Sequence, residues 1–231
     1  MNCRYCKNLL KHVFTDLGKT PLSNSYLTKD KMNEPEKEFP LKTFVCEKCF
    51  LVQIDEFEKP ENIFNDYAYF SSYSTSWLEH VKIFSKNMIK RFNLSENNQV
   101  IEIASNDGYL LKNFTNNQIP VLGIEPASNV AKIAEEGGIP TMNEFFGSDT
   151  AEKVIESGIK ADLLIAFNVL PHVPDLNDFV LGMKKIINED GIIIIQFSAY
   201  LLDVIQKCEF DMVYHEHYSY FSLFTLKQIF E

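Results

Sequence analysis

Basic residues are the minority in this 231-residue chain: 22 Lys and Arg stand against 32 Asp and Glu, a formal net charge of -10. That balance leaves no basic footprint for nucleic acid or for an anionic membrane surface. Long apolar runs are missing too. None approaches the ~20 residues that span a bilayer, and the opening Met1-Asn2-Cys3-Arg4 carries no apolar stretch of the kind a secretory signal needs. A cytoplasmic protein is the expectation. Glycine is scarce, with 9 residues, and no G-x-G-x-x-G fingerprint occurs, which argues against a dinucleotide. Cysteine is scarcer still, with five, yet four of these fall in two pairs. What remains is a globular composition, 45% hydrophobic and 23% charged, long enough for one ordinary domain and a small one.

The chain is organised around residues 100–111, VIEIASNDGYLL. Val100, Ile101 and Ile103 supply the run of a strand buried on both faces, Ser105-Asn106-Asp107-Gly108 breaks it with turn chemistry, and Tyr109, Leu110 and Leu111 begin a helix. In open parallel sheets the ligand crevice lies at the carboxyl ends of the strands, where small residues such as Ala104, Ser105 and Gly108 admit close approach. A second strand, Val121 to Ile124, ends in Glu125-Pro126. Glu125 follows Glu102 by 23 residues, the interval at which a β-α-β unit returns a carboxylate to the crevice to accept ribose hydroxyls. An acidic crevice suits a cationic adenosine compound, S-adenosylmethionine, better than a pyrophosphate. The plainer reading makes Glu102 a salt-bridge partner and Asp107 a helix N-cap.

From Gln99 onward, strands at 99–104, 120–124, near Thr141, 162–167 and 191–197 alternate with helices at 109–116, 127–136, 149–157 and 176–188. This predicts five parallel strands in the order 3-2-1-4-5. Trp77, Val81, Phe84 and Met88 recur at helical spacing, so a helix over 76–92 should cover the sheet.

Cys3 and Cys6 form one C-x-x-C pair and Cys46 and Cys49 another, 39 residues on. In a reducing compartment this favours a closed four-thiolate site for structural Zn2+, in a segment too poor in core to fold alone; two redox or disulfide pairs are the alternative. Short strands at 41–45 and 51–54 flank the second pair as in a zinc ribbon. Cys208 stands alone and reads as a small buried apolar residue. The aromatic connector from Asp66 to Ser74 either packs the small domain on the large one or walls the active site.

Two further clusters carry proton-transfer groups. Asn168 and His172 follow the fourth strand, so both lie at the crevice rim, with His172 stiffened by Pro171 and Pro174. Tyr214-His215-Glu216-His217 would face alternately if extended and needs a loop to converge. A general acid or base fits it better than a metal site built on the two histidines and the glutamate.

Together these motifs resemble the sugar C-methyltransferase family, which methylates a carbon beside the keto group of a nucleotide-linked deoxysugar. The resemblance rests on the paired C-x-x-C, DYAYFSSYS-x-SWLEH (66–80), EIASNDGYLL (102–111), GIEPA (123–127), NVLxHVPDLNDF (168–179) and YHEHxSYFS (214–222). It implies a zinc-binding N-terminal module, a class I methyltransferase (Rossmann-like) core and a further C-terminal domain. The expected domains are 1–62 (zinc-binding), 63–98 (connector and helix) and 99–231 (a truncated methyltransferase core).

Carried over residue by residue, the methyl-donor contacts fall on Ala104, Ser105, Asn106, Asp107 and Glu125, with Glu102 beneath and Asn168 at the rim. The chemistry falls on His217 as the base, Tyr214 and Glu216 as its orienters or enolate stabilisers, and His172 beside the keto group. The chain departs from the family pattern at Gln196-Phe197-Ser198-Ala199, where Glu-Phe-Pro-His is expected, and at Pro171, where alanine is usual. The implied partner is a nucleotide-linked sugar, with no nucleic acid and no membrane. Phe224 to Glu231 reads as the helix after strand five, cut off. The expectation is therefore a fragment, or a chain completed by a partner chain or a missing C-terminal domain, because the isoleucine-rich strand five would otherwise be an open edge.

Overall fold

The computed structural model describes residues 1–60 and 69–231. Among these, two compact units form that are not consecutive in the chain: residues 1–60 with 170–177 and 197–231, and residues 69–169 with 178–196. The expected boundary at 62 and 63, and Asp66, Tyr67 and Ala68 of the connector, lie outside the described residues.

The first unit is built on a four-stranded antiparallel sheet, β1 (His12–Thr20), β2 (Phe39–Val45), β3 (Val52–Ile54) and β9 (Ser219–Tyr220), in that order. β2 and β3 are the strands anticipated on either side of the second cysteine pair. β1 escapes sequence reading because it is a bulged edge strand whose side chains are mostly exposed, so no alternation marks it. The core comprises Leu41, Val52 and Ile54 from the N-terminal strands together with Ala199, Val213, Tyr218 and Tyr220. Residues 197–231 therefore complete this unit instead of extending the parallel sheet, and the helix Leu223–Phe230 belongs here. Cys208 is exposed with φ 55°, contrary to its expected burial: it is the left-handed residue that follows Lys207, the C-cap of the helix Leu201–Gln206.

The second unit holds β4 (Val100–Ile103), β5 (Val121–Ile124), β6 (Thr141–Met142), β7 (Ala161–Phe167) and β8 (Ile187–Gln196), in the order β6-β5-β4-β7-β8. All neighbours run parallel, and this is the anticipated 3-2-1-4-5. Pro120 and Pro140 stand just before β5 and β6, where their carbonyls accept the amides of Val100 and Gly123 and their missing N-H groups cost little. The helix Thr75–Phe92 starts on Ser74, whose hydroxyl accepts the Trp77 amide, and ends on Asn93 at φ 50°. Its Trp77, Val81, Phe84 and Met88 pack on the core of Val100, Leu110, Leu111, Phe114, Leu163 and Ile165. The helix expected to reach 188 stops at Ile186, and β8 begins at Ile187. Ile192 and Ile194 of β8 pack against that same core, which covers part of the edge strand.

Phe114 has no exposed surface. Phe114→Ala should lower unfolding stability by about 3–5 kcal/mol through lost transfer energy and the cavity left behind, as read by urea denaturation.

Candidate functional site

At the carboxyl end of β4 the backbone turns through two left-handed non-glycine residues, Ala104 at φ 56° and Asn106 at φ 50°, before Gly108 at φ 76°. Such conformations cost free energy and cluster where a backbone must approach a ligand. Asn168, at the carboxyl end of β7, is left-handed too, at φ 53°, and its amide donates to the Gln196 carbonyl at 2.7 Å. The turn is held by Glu125. Its Oε2 accepts the Asn106 amide and its Oε1 the Ala127 amide, both at 2.9 Å.

Gly123 makes room for this arrangement, since a Cβ there would stand 2.4 Å from Ser105 Oγ. Glu102 is fully buried, and burial, with Glu125 and Asp107 adding to it, holds its carboxyl well above the usual range. Burial likewise raises Glu125, opposed by its two amide donors. Glu102, Asp107 and Glu125 thus stand together at one strained turn, where Asp107 and Glu125 accept backbone amides.

The outer side of the turn is braced by the aromatic connector. Asn106 Oδ1 accepts the Ser71 amide at 2.9 Å and its Nδ2 donates to the Tyr69 carbonyl at 3.1 Å, while Asp107 Oδ2 accepts the Ser72 amide. Residues 69–72 of the aromatic connector therefore line this turn. Of the two roles open to the connector in the sequence, a wall of the site is the one these bonds favour, although the individual backbone donors leave no trace in composition.

In the first unit, the Sγ atoms of Cys3, Cys6, Cys46 and Cys49 all lie within 4.8 Å of one another, with Cys3 to Cys49 and Cys6 to Cys46 each 3.5 Å. A tetrahedral zinc with Zn–S bonds of about 2.3 Å requires sulfur separations of about 3.8 Å, so the four thiols fit the ion. Each pair sits in a tight turn: the Lys7 amide donates to the Cys3 carbonyl and the Phe50 amide to the Cys46 carbonyl, with Lys7 and Phe50 left-handed where glycine is common. Buried Gln53 donates from Nε2 to Cys3 Sγ at 3.3 Å. Cys49 first, and then Gln53, favour the Cys3 thiolate against the opposing effect of burial.

The same unit gathers the proton-transfer groups. The His217 amide donates to the Tyr214 carbonyl, so the chain turns here where an extended strand would have kept their side chains apart. The Tyr214 hydroxyl lies 2.9 Å from His217 Nε2, and His217 Nδ1 lies 2.9 Å from the Met212 carbonyl. A carbonyl only accepts, so Nδ1 carries the proton and Nε2 accepts from Tyr214. The His172 ring is 4.7 Å from that of His217.

Burial depresses both imidazoles, His217 to about 4 and His172, beside His217, to about 3. Buried Glu216 accepts from Asn24 Nδ2 at 2.9 Å, and burial raises its carboxyl. His215 turns away to the Pro40 carbonyl, against Phe39 and Phe57. Among the described residues the four cysteines are the one group placed to hold a metal, so the His-Glu-His alternative finds no convergent ligands. Asn24 was invisible in the sequence because it sits in a polar loop without periodicity.

Gly123→Ala should leave the zinc content intact and weaken S-adenosylmethionine binding roughly 10-fold, about 1.4 kcal/mol, by pushing Ser105 out of place; titration calorimetry checks it. Cys46→Ser should abolish stoichiometric zinc and loosen the first unit, seen as exposure of its amides to hydrogen exchange.

A family profile for a zinc binding domain matches residues 3–64, and one for a methyltransferase domain matches residues 75–231. Over 229 residues the chain is 29% identical to the C-methyltransferase NovU of Streptomyces niveus, a match covering 99% of this chain and 54% of that protein. The chain thus spans about half the length of the curated relative it matches. Among solved structures, the YcgJ protein of Bacillus subtilis aligns with a TM-score of 0.50 and 15% identity, covering 65% of this chain and 66% of that one. A SAM dependent methyltransferase from Archaeoglobus fulgidus aligns with a TM-score of 0.49 and 20% identity, covering 66% of each chain. The YcgJ likeness is one of fold alone. A methyltransferase domain implies S-adenosylmethionine as cofactor, and a cysteine cluster within a zinc binding domain supports structural zinc. Its profile match running from the helix Thr75–Phe92 through the whole parallel sheet, this chain belongs to the methyltransferase domain family and carries that domain behind a zinc binding one.

Proposed function

We propose that the chain is the S-adenosylmethionine-binding part of a C-methyltransferase acting on a nucleotide-linked keto-deoxysugar. The observation that carries the reading is the hydrogen-bonded series from Tyr214 through His217 to Met212, in which a neutral imidazole presents its lone pair to a phenol. Such a pair can accept a proton α to a ketone. As the C–H bond breaks, its proton passes to the Tyr214 oxygen while the Tyr214 proton passes to His217 Nε2, and the Met212 carbonyl steadies the imidazolium that results. The pair of electrons released moves to the keto oxygen, giving an enolate. In this reading His172 sits by that oxygen, and Glu216, held by Asn24, orients the loop that carries the base.

Ala104, Ser105, Asn106, Asp107, Glu125 and Asn168, with Glu102 beneath them, bind the methyl donor. When bound, it would supply an electrophilic methyl group to the enolate carbon. The C-methyl part of the proposal is supported by the likeness to NovU. The sugar part is supported by the motifs at 66–80, 168–179 and 214–222. The match covers 54% of that relative, and donor binding without turnover is the competing reading.

Calorimetric titration of the zinc-loaded chain with S-adenosylmethionine and S-adenosylhomocysteine should give one site, lost in Glu125→Ala because the Asn106 and Ala127 amides lose their acceptor. A folded, zinc-replete chain that binds neither compound overturns the proposal. With a panel of nucleotide-linked keto-deoxysugars, Tyr214→Phe should keep donor binding and lose exchange of the substrate α-proton with solvent deuterium. The base must be neutral to work and burial lowers His217 to about 4. Activity should therefore persist below the ordinary imidazole range and fall only as pH drops through about 4, with zinc content measured at each pH.

A further inference from the structure

Arg4 lies between the two cysteines of the first zinc-binding turn, yet its side chain serves segments far away in sequence. Its Nη1 donates to the Pro174 carbonyl at 2.9 Å and its Nη2 to the Ile54 carbonyl at 2.5 Å, and its guanidinium lies over the Tyr218 ring, 5.3 Å from the centroid. Pro174 is two residues beyond His172, at the end of the short 3-10 turn Leu170–His172. Tyr218 follows His217 directly, and its carbonyl accepts the Ile54 amide at 3.1 Å.

The Arg4 backbone is held as firmly from the other side. Its amide donates to Gln53 Oε1 at 2.8 Å, and the same Gln53 amide group donates to Cys3 Sγ. Asn177 Nδ2 adds a bond to the Tyr5 carbonyl at 3.0 Å. One planar cation with donors in a fixed fork thus joins the thiolate cluster to both segments that bear the imidazoles, which meet at 4.7 Å.

We propose that Arg4 is a positioning residue that sets His172 against His217, so that the zinc-binding turn governs the geometry of the proton-transfer cluster as well as the folding of residues 1–60. Calling that cluster the proton-transfer site rests on the function proposed above; the mechanical coupling does not. A guanidinium does this where an ammonium would not, because two carbonyls and an aromatic face are engaged at once, and a lysine would reach one of them as a point charge. Gln53 couples the sulfur to the arm in the manner of outer partners that orient metal ligands, whose loss costs on the order of 10- to 100-fold in affinity or activity.

The test uses the full 231-residue, zinc-loaded chain with 15N-labelled histidine, comparing wild type, Arg4→Met, Arg4→Lys and Tyr5→Phe. Tyr5→Phe removes a bond to the Gln228 carbonyl and leaves the Arg4 contacts in place. Arg4→Met should keep one zinc and wild-type S-adenosylmethionine affinity, but shift the imidazole nitrogen resonances of His172 and His217 and mix the tautomers of His217. Arg4→Lys should shift them less, and Tyr5→Phe should leave them unchanged. If the sugar reading holds, kcat in Arg4→Met falls on the order of 10- to 100-fold at unchanged KM for the donor, and Arg4→Lys restores part of it. Wild-type histidine resonances in zinc-loaded Arg4→Met overturn the proposal. Should Arg4→Met lose zinc or fail to fold, the zinc-loaded Arg4→Lys chain decides: shifted resonances support the coupling and unshifted ones overturn it. Absence of sugar activity in the wild type would count against the proposed function alone, since the resonances are read without substrate.

Discussion

The carboxylate of Glu125 is the constraint on which the second unit turns. With the Asn106 and Ala127 amides on its two oxygens, it fastens the strained turn after β4 to the start of the helix after β5. Without that acceptor, two buried amides would be orphaned and the left-handed Ala104 and Asn106 would have nothing to hold them. The parallel sheet exists to bring these ends together. β4 lies between β5 and β7 in register, so that Ile103 sits beside Ile124 and Ala166, and β4 and β5 end at one level with β7 one residue further. Gly123 then lets Ser105 lie directly over β5.

The first unit obtains its order in another way. Its longest strand, β1, is mostly exposed, β3 and β9 are short, and a polar loop separates β1 from β2, so four thiols close around a metal site in place of a larger hydrophobic core. Around that site the chain returns twice, once with residues 170–177 and once with 197–231. The second return contributes a two-residue strand, Ser219–Tyr220, paired to β3, and the buried aromatic rings of Tyr218, Tyr220 and Phe221. Arg4 and Tyr5, placed between Cys3 and Cys6, make the polar bonds that tie both returns to the metal-binding turn.

The protonation of the imidazoles in this unit is set by burial more than by charge. His172 and His217 have no carboxylate among the groups that shift them. Desolvation keeps both neutral, and a backbone carbonyl decides which nitrogen of His217 offers its lone pair. Glu216, although adjacent in sequence, is occupied with Asn24. Three titratable neighbours in a four-residue stretch therefore take three separate roles, with His215 a packing residue against Phe39 and Phe57.

The sequence by itself determined what depends on local pattern and on burial over a few residues. Apolar runs at 99–104, 120–124 and 162–167, each ended by a polar turn and separated by helical segments, specified a parallel sheet and its order. Paired cysteines at knuckle spacing specified the metal site, and Glu125 stood out as the carboxylate at the end of the second strand. Only the tertiary structure decided which unit owns residues 170–177 and 197–231, because that rests on contacts such as Arg4 to Pro174, whose sequence separation of 170 no periodicity encodes. It likewise decided that Cys208 is exposed, that Asn24 meets Glu216 and that Tyr214 meets His217 through a turn. These are pairings of single polar groups across distant segments. Each is selected by the need to satisfy a buried donor or acceptor, and that need arises only once the chain has closed around it.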